Sequence, residues 1–133
     1  MASPAAGLPA PGPVLHATFA AWAAGNAIHR VHPSKYGATD FNASATGNAR
    51  FSPIADAKGR IVPTLYGGST FECAAMETVF HDVPYAPGFK PYDKDRLENQ
   101  RASIICAARD LTLVDLSSTA LRKLGIPPRE LIM

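Results

Sequence analysis

One apolar segment near the middle of the chain constrains the fold more than any other. Ser69 followed by Glu72 has the spacing of a capping box, which predicts a helix that runs to about His81. Four of its residues fall within one arc of about 100°: Cys73, Met76, Glu77 and Phe80. Because other apolar residues cover much of the remaining surface, we expect a helix buried on most sides. Glu77 would then face inward, where a lone carboxylate costs several kcal/mol unless it is paired, hydrogen-bonded or protonated.

Short apolar runs on both sides of this helix predict β-strands. Ala27 to His32 alternates so that Arg30 shares a face with Ile28, and an arginine on a core-facing side needs an anion or a cavity. The run from Ile61 to Tyr66 follows a turn signal, and Pro63 within it indicates an edge strand or a bulge.

Sequence patterns near both ends of the chain predict a helix. Two more strands are predicted before the second of these helices. Val14 to Ala24 carries apolar residues at helical spacing and stops at a glycine. The β-rich runs Ser103–Ala107 and Leu111–Leu116 fit either a hairpin or one long bent strand. Ser117 or Ser118 then caps a short helix that ends at the next glycine.

Composition limits the chain to one domain, for which we expect an α+β fold with small mixed or antiparallel sheets and flanking helices. The 133 residues are 47% hydrophobic and 18% charged, which suffices for one core. We expect a flexible Ala/Pro-rich arm over residues 1–13 and the domain over residues 14–133. The formal net charge of +2 comes from scattered basic residues, which disfavours nucleic acid as the main partner.

The cysteines and the N-terminal sequence predict a cytoplasmic protein. Cys73 and Cys106 lie in apolar patterns without metal-ligand spacing, so we expect buried free thiols and no metal site. The N-terminal segment has no basic residue ahead of an apolar run, and prolines interrupt it, unlike a signal peptide. No apolar run approaches the ~20 residues that span a bilayer.

Four sequence words carry a family resemblance: IHRV at 28–31, GNARFSP at 47–53, LYGGS at 65–69 and AAMETV at 74–79. In this order and spacing the chain resembles the RES domain, the toxin of bacterial RES–Xre toxin–antitoxin pairs. The resemblance implies a fold similar to the ADP-ribosyltransferase toxins, with NAD as substrate, loss of nicotinamide as the reaction and no metal. It also implies an Xre-like antitoxin partner that covers the NAD pocket, carries any DNA binding and brings the toxin into an oligomer.

The resemblance also assigns roles to five residues. Arg30 and Arg50 would clamp the pyrophosphate by charge-assisted hydrogen bonds, and Tyr66 would pack on nicotinamide or ribose. Cleavage of the glycosidic bond builds positive charge on the ribose, which the Glu77 carboxylate would stabilise. Tyr36, in the long loop over residues 33–48, would form a wall of the pocket.

Several alternatives stay open. The acceptor is water or phosphate, and a second enzyme reading transfers ADP-ribose to a protein. A third reading is a non-catalytic remnant that binds antitoxin or NAD, because the family's serine lies in a strand beyond Met133 and the chain would then be truncated at its C-terminus. Glu77 could instead form a structural salt bridge with one of the arginines. Three histidines are general-base candidates that match no position of the family pattern: His29, His32 and His81.

Overall fold

The computed structural model describes residues 12–44, 53–80, 87–88 and 91–127, and within them the domain is α+β. Six short strands form three antiparallel pairs. The strands are β1 (Phe19–Trp22), β2 (Ala27–Pro33), β3 (Ile54–Ala55), β4 (Ile61–Val62), β5 (Gln100–Cys106) and β6 (Leu111–Val114). The helices are α1 (Phe71–Thr78) and α2 (Ser118–Leu124), with a 3-10 turn at Lys94–Leu97. The arm expected over residues 1–13 lies almost entirely outside the described residues.

Two of the strand pairs form one continuous ribbon with a bend. β1 pairs with β6 and β2 pairs with β5, and the same register runs through both, from Trp22 opposite Leu111 to Ala27 opposite Cys106. At the break, the Ala24 N–H donates to the Asp110 carboxylate (2.8 Å). The ribbon therefore turns without slipping, and its central strand β2 is held by β5 along its whole length.

The predicted helix over Val14 to Ala24 is wrong, since Phe19 to Trp22 forms strand β1. The Asp115 N–H extends the pairing by donating to the Thr18 carbonyl (2.8 Å). This long-range pairing overrides the helical preference of an alanine-rich segment, because local propensity contributes only tenths of a kcal/mol per residue. The hairpin alternative for the last two runs is also wrong, since β5 and β6 pair with different strands. The alternative of one long bent strand is closer to the structure, because β5 and β6 follow one another along the ribbon and the bend lies between them.

Helix α1 packs its small side chains against β2. Ala74 and Ala75 are buried together with Val31, and two half-buried residues pack around them, Val79 and Phe80. The helix begins one residue later than predicted, because Thr70 is the N-cap and its hydroxyl accepts the Cys73 N–H (3.1 Å). It ends at Thr78 rather than near His81.

The predicted inner face of α1 is wrong for three of its four residues, since only Phe80, just past the end of the helix, packs against the core. Cys73, Met76 and Glu77 are exposed, with Met76 at 47%. Ala74 and Ala75 are the residues of α1 that pack with Val31 of β2, and Gly68 also approaches this side of the helix, where an added Cβ would lie 2.8 Å from the Ala74 nitrogen. Glu77 therefore does not face the core. Both cysteines are free thiols, but they are exposed rather than buried.

The β3–β4 hairpin confirms the turn predicted before Ile61. The Asp56 carboxylate accepts the Lys58 and Arg60 N–H groups (2.9 Å each), and Gly59 takes the left-handed conformation that the turn requires (φ 77°). The backbone hydrogen bond from Arg60 is the main cause that holds the pKa of Asp56 below its ordinary value. The apolar run to Tyr66 is a strand only over Ile61–Val62.

Helix α2 confirms the prediction of a short capped helix. Ser117 occupies the N-cap position but makes no side-chain cap hydrogen bond, and Gly125 ends the helix in the left-handed conformation (φ 73°). The Ile126 N–H donates to the Leu121 carbonyl (3.0 Å), which completes the glycine cap. The Ser117 N–H donates to Asp115 (2.7 Å) and lowers the pKa of that carboxyl. In the part of the chain that the structure describes, no helix has the length and apolar content to cross a bilayer.

Candidate functional site

Arg30 is the centre of the candidate site. Strand β2 carries it on the same face as Ile28, as predicted, and the side chain is only 8% exposed. Its Nε donates to the Tyr66 carbonyl (3.1 Å), and its Nη1 donates to the Ala38 carbonyl. The buried guanidinium thus finds carbonyl partners on two separate loops and ties both of them to the sheet.

The site holds a positive charge away from water. Burial lowers the pKa of Arg30, and the negative charge of Asp40 acts in the opposite direction. A guanidinium stays charged in proteins even when its pKa falls. The Asp40 carboxylate also accepts the Gly37 N–H (2.7 Å), which fixes the turn next to Ala38. A cation is therefore maintained beneath the two loops that carry the candidate tyrosines.

Tyr66 reaches the site because its segment pairs with the free edge of β2. His29 and Gly68 exchange two backbone hydrogen bonds of 2.8 Å each. A Cβ at Gly67 would lie 2.5 Å from the Ile28 Cγ2, so the glycines permit this approach. The Tyr66 side chain itself is 36% exposed, which leaves part of its ring accessible to a ligand.

Tyr36 lies on the loop that Arg30 holds through Ala38. Its side chain is 43% exposed, and the Lys35 Nζ lies 5.1 Å from the centre of its ring. The structure therefore links the loops of Tyr36 and Tyr66 through Arg30.

Of the other two predicted site residues, the structure describes Glu77 but not Arg50. Glu77 lies on α1, which packs on β2, and its carboxylate is exposed. Among the described residues it forms no ion pair, so the salt bridge to Arg30 is not formed. Arg50 lies outside the described residues, as does His81, and its part in the site stays a prediction. No group of three or more metal-ligating side chains occurs within the described ranges.

A buried histidine–serine pair lies next to Arg30, and the sequence interpretation named His32 as a general-base candidate but missed its partner Ser103. His32 is 4% exposed, and its Nε2 lies 2.7 Å from the Ser103 hydroxyl. Its Nδ1 lies 3.0 Å from the Pro33 carbonyl oxygen. The alternation of β2 puts His32 on the same face as Arg30. Its partner could not be found, because the pairing of β2 with β5 is not readable from local sequence.

The fold and site define a small α+β domain built around a buried arginine on its central strand. The chain belongs to the RES domain family, whose model matches residues 27–131. This match confirms the resemblance drawn from the four sequence words. RES domain proteins in general belong to toxin–antitoxin pairs and are linked to NAD as substrate. No curated protein and no solved structure matches the chain.

Proposed function

We propose that this chain is a toxin of a type II toxin–antitoxin pair that degrades NAD by breaking the bond between nicotinamide and ribose. The observation that supports the proposal most is the buried Arg30 cation, which fixes two loops with exposed tyrosines. NAD presents two groups that suit such a site, an anionic pyrophosphate and flat aromatic rings. A fold similar to that of the ADP-ribosyltransferase toxins is part of the proposal.

The proposed binding of NAD uses charge on one side and ring stacking on the other. Arg30 attracts the pyrophosphate and keeps Tyr66 in place, and Arg50 adds a second guanidinium whose fork matches phosphate oxygens. Tyr66 packs on nicotinamide or ribose, and Tyr36 forms a wall of the pocket. Both tyrosines are exposed, so a ligand can reach them.

The proposed chemical step depends on Glu77. As the glycosidic bond breaks, the nicotinamide leaves as a neutral molecule and positive charge develops on the ribose. A carboxylate close to that charge stabilises the transition state more than the ground state, which raises the rate. Glu77 is exposed on a helix packed against the Arg30 strand, so a ligand has access to it. Water or phosphate then takes the ribosyl group.

The proposal includes a protein partner. An Xre-like antitoxin would cover the NAD pocket with one of its segments and bring the toxin into an oligomer in the cytoplasm. Closure of the pocket by a partner requires that its walls be accessible in the toxin alone. The exposed tyrosine rings on both loops agree with that requirement.

The test is NAD consumption with chromatographic detection of nicotinamide, with and without phosphate. We expect release by the wild type and a loss of about 10²–10³-fold in Glu77→Gln, the size found when one group that stabilises transition-state charge is removed. Glu72→Gln is the matched control, because Glu72 is also exposed on α1. Equal rates in the wild type and Glu77→Gln would remove Glu77 from the mechanism. Labelled NAD in the same reaction detects any transfer of ADP-ribose to protein.

A further inference from the structure

We propose that the outer edge of β5, the side away from β2, pairs with the same edge of a second copy of this chain. The two β5 strands run antiparallel across a two-fold axis at Ile104, and the β2–β5 sheets of both copies join into one. The inference concerns association and is independent of the proposed chemistry, because it rests on the backbone and side chains of one strand.

The hydrogen bonds of His29 show which residues of β5 direct their backbone to the outer edge. His29 exchanges two backbone hydrogen bonds with Gly68, on the side of β2 away from β5. His29 and Ile104 are therefore a non-hydrogen-bonded pair of the antiparallel ladder. The N–H and C=O groups of Ile104 then point away from β2, and the alternation of the ladder gives Ala102 and Cys106 the same direction.

This edge is open in the part of the chain that the structure describes. β2 and β5 form a two-stranded sheet there, so no further strand pairs with β5. The three residues that direct their backbone outward are all exposed, with Ile104 at 67%. Helix α1 packs on β2 and on Gly68, which lies at the opposite edge of β2. The helix therefore leaves the side chains of β5 uncovered.

The edge also lacks the features that keep strands from associating. Exposed edges are usually protected by charged side chains, prolines or bulges. Residues 102–108 contain no charge and no proline, and β5 pairs with β2 without a bulge. A neutral edge rich in β-forming residues is a template for another strand.

The sequence of the edge fits a copy of itself. In the register centred on Ile104, this residue pairs with Ile104 of the second copy, and Ala102 pairs with Cys106 of the second copy. All three outward-facing residues then form hydrogen-bonded pairs, each of which exchanges two backbone hydrogen bonds. A central isoleucine pair is flanked by small residues. Arg101 lies opposite Ala107, so like charges do not face each other.

The pairing leaves the candidate site accessible. The segment of Tyr66 approaches β2 through Gly68, at the edge of β2 opposite to β5. The second copy therefore lies on the far side of β5 from this segment. The contact of one strand is smaller than a standard interface of about 800 Å² per partner, so we expect a dimer that dissociates on dilution.

Sedimentation velocity of the full chain under reducing conditions measures the association. We expect monomer at about 1 μM and dimer towards about 1 mM, the range of a weak interface. Ile104→Lys places two lysines directly opposite each other at the two-fold axis and should abolish the dimer. Val114→Lys is the matched control, because Val114 is also an exposed β-branched strand residue (51%) but lies on β6, outside the proposed pairing.

A cross-link tests the register. Ala102→Cys in a Cys73→Ser background places a thiol opposite Cys106 of the second copy, with Cα atoms about 5.5 Å apart, within reach of a disulfide. Within one chain residues 102 and 106 are about 13 Å apart along the strand and cannot form that bond. We expect a covalent dimer on mild oxidation. Cys73→Ser alone is the control, since the two Cys106 residues of the dimer are also about 13 Å apart along the strand.

Three results would overturn the inference. The first is a chain that stays monomeric at every concentration, and the second is a dimer that Ile104→Lys and Val114→Lys affect equally. The third is a monomeric chain in which Ile104→Lys weakens binding of the cognate antitoxin, because the edge then belongs to that partner. Circular dichroism checks the fold of each variant, and if Ile104→Lys does not fold, the cross-link decides the proposal.

Discussion

Replacement of Arg30 by methionine tests whether this residue holds the site together. Methionine has a similar length and is apolar, so Arg30→Met removes the charge and both hydrogen bonds with little change in volume. The carbonyls of Tyr66 and Ala38 would lose their donor. The two loops would then lose the link that Arg30 makes to both of them, while the Tyr66 segment would keep its pairing with β2 through Gly68 and His29.

The expected cost follows from the two bonds. A hydrogen bond from a charged donor contributes about 1.5–3 kcal/mol, so two contribute about 3–6 kcal/mol. Removal of a buried charge offsets part of this loss of stability, because the cation no longer has to be held away from water. The net expectation is a loss of about 2–4 kcal/mol in the free energy of unfolding. For a domain of this length that lowers Tm by roughly 8–16 °C.

Thermal and urea unfolding followed by circular dichroism measures the change. Arg60→Met is the matched control: Arg60 also donates to an oxygen, the Asp56 carboxylate at 2.7 Å, but its side chain is 71% exposed. Exposed ion pairs contribute about 0–1 kcal/mol. If Arg30→Met costs no more than Arg60→Met, water replaces the guanidinium at both carbonyls and Arg30 does not hold the loops.

Two further changes separate packing from ligand binding. Gly68→Ala should lower the free energy of unfolding by about 1–3 kcal/mol, because its Cβ would meet the Ala74 backbone nitrogen at 2.8 Å. Gly12→Ala, with its nearest contact at 3.8 Å, is the control, and equal unfolding curves would contradict the close approach. Arg50→Ala should chiefly weaken NAD binding, since it removes one proposed phosphate contact. Unchanged affinity by calorimetry would give Arg50 a structural role.

Strand β2 shows which part of the fold could be predicted from sequence. Its alternation placed Arg30 and Ile28 on one face, and Arg30 is indeed buried. Turns and caps were also predictable, because Gly59 and Gly125 supply left-handed conformations at the ends of apolar runs. These features depend on neighbours within a few residues. The sequence prediction succeeds where the physical cause is local.

Helix α1 shows why a correct element can be given the wrong face. Large apolar residues normally mark the buried side of a helix, so Cys73 and Met76 indicated an inner arc. Tertiary packing decided otherwise, since Ala74 and Ala75 pack with Val31 of β2, and Gly68 lies so close to the Ala74 backbone that a Cβ would not fit. Such packing is a property of two segments together. Glu77 was expected on the buried side of this helix but lies at the surface, and it therefore needs no buried partner.

The assembly of the candidate site depends on pairings between distant parts of the chain. Tyr66 reaches Arg30 because Gly68 pairs with His29, and Ser103 reaches His32 because β5 pairs with β2. In both cases the sequence shows a polar residue on a strand but not the group it will meet. Arg30 was expected to need an anion or a cavity, but its guanidinium donates hydrogen bonds to two carbonyl oxygens instead. A buried charge in a sequence therefore predicts that partners exist, and only the strand pairing determines which ones they are.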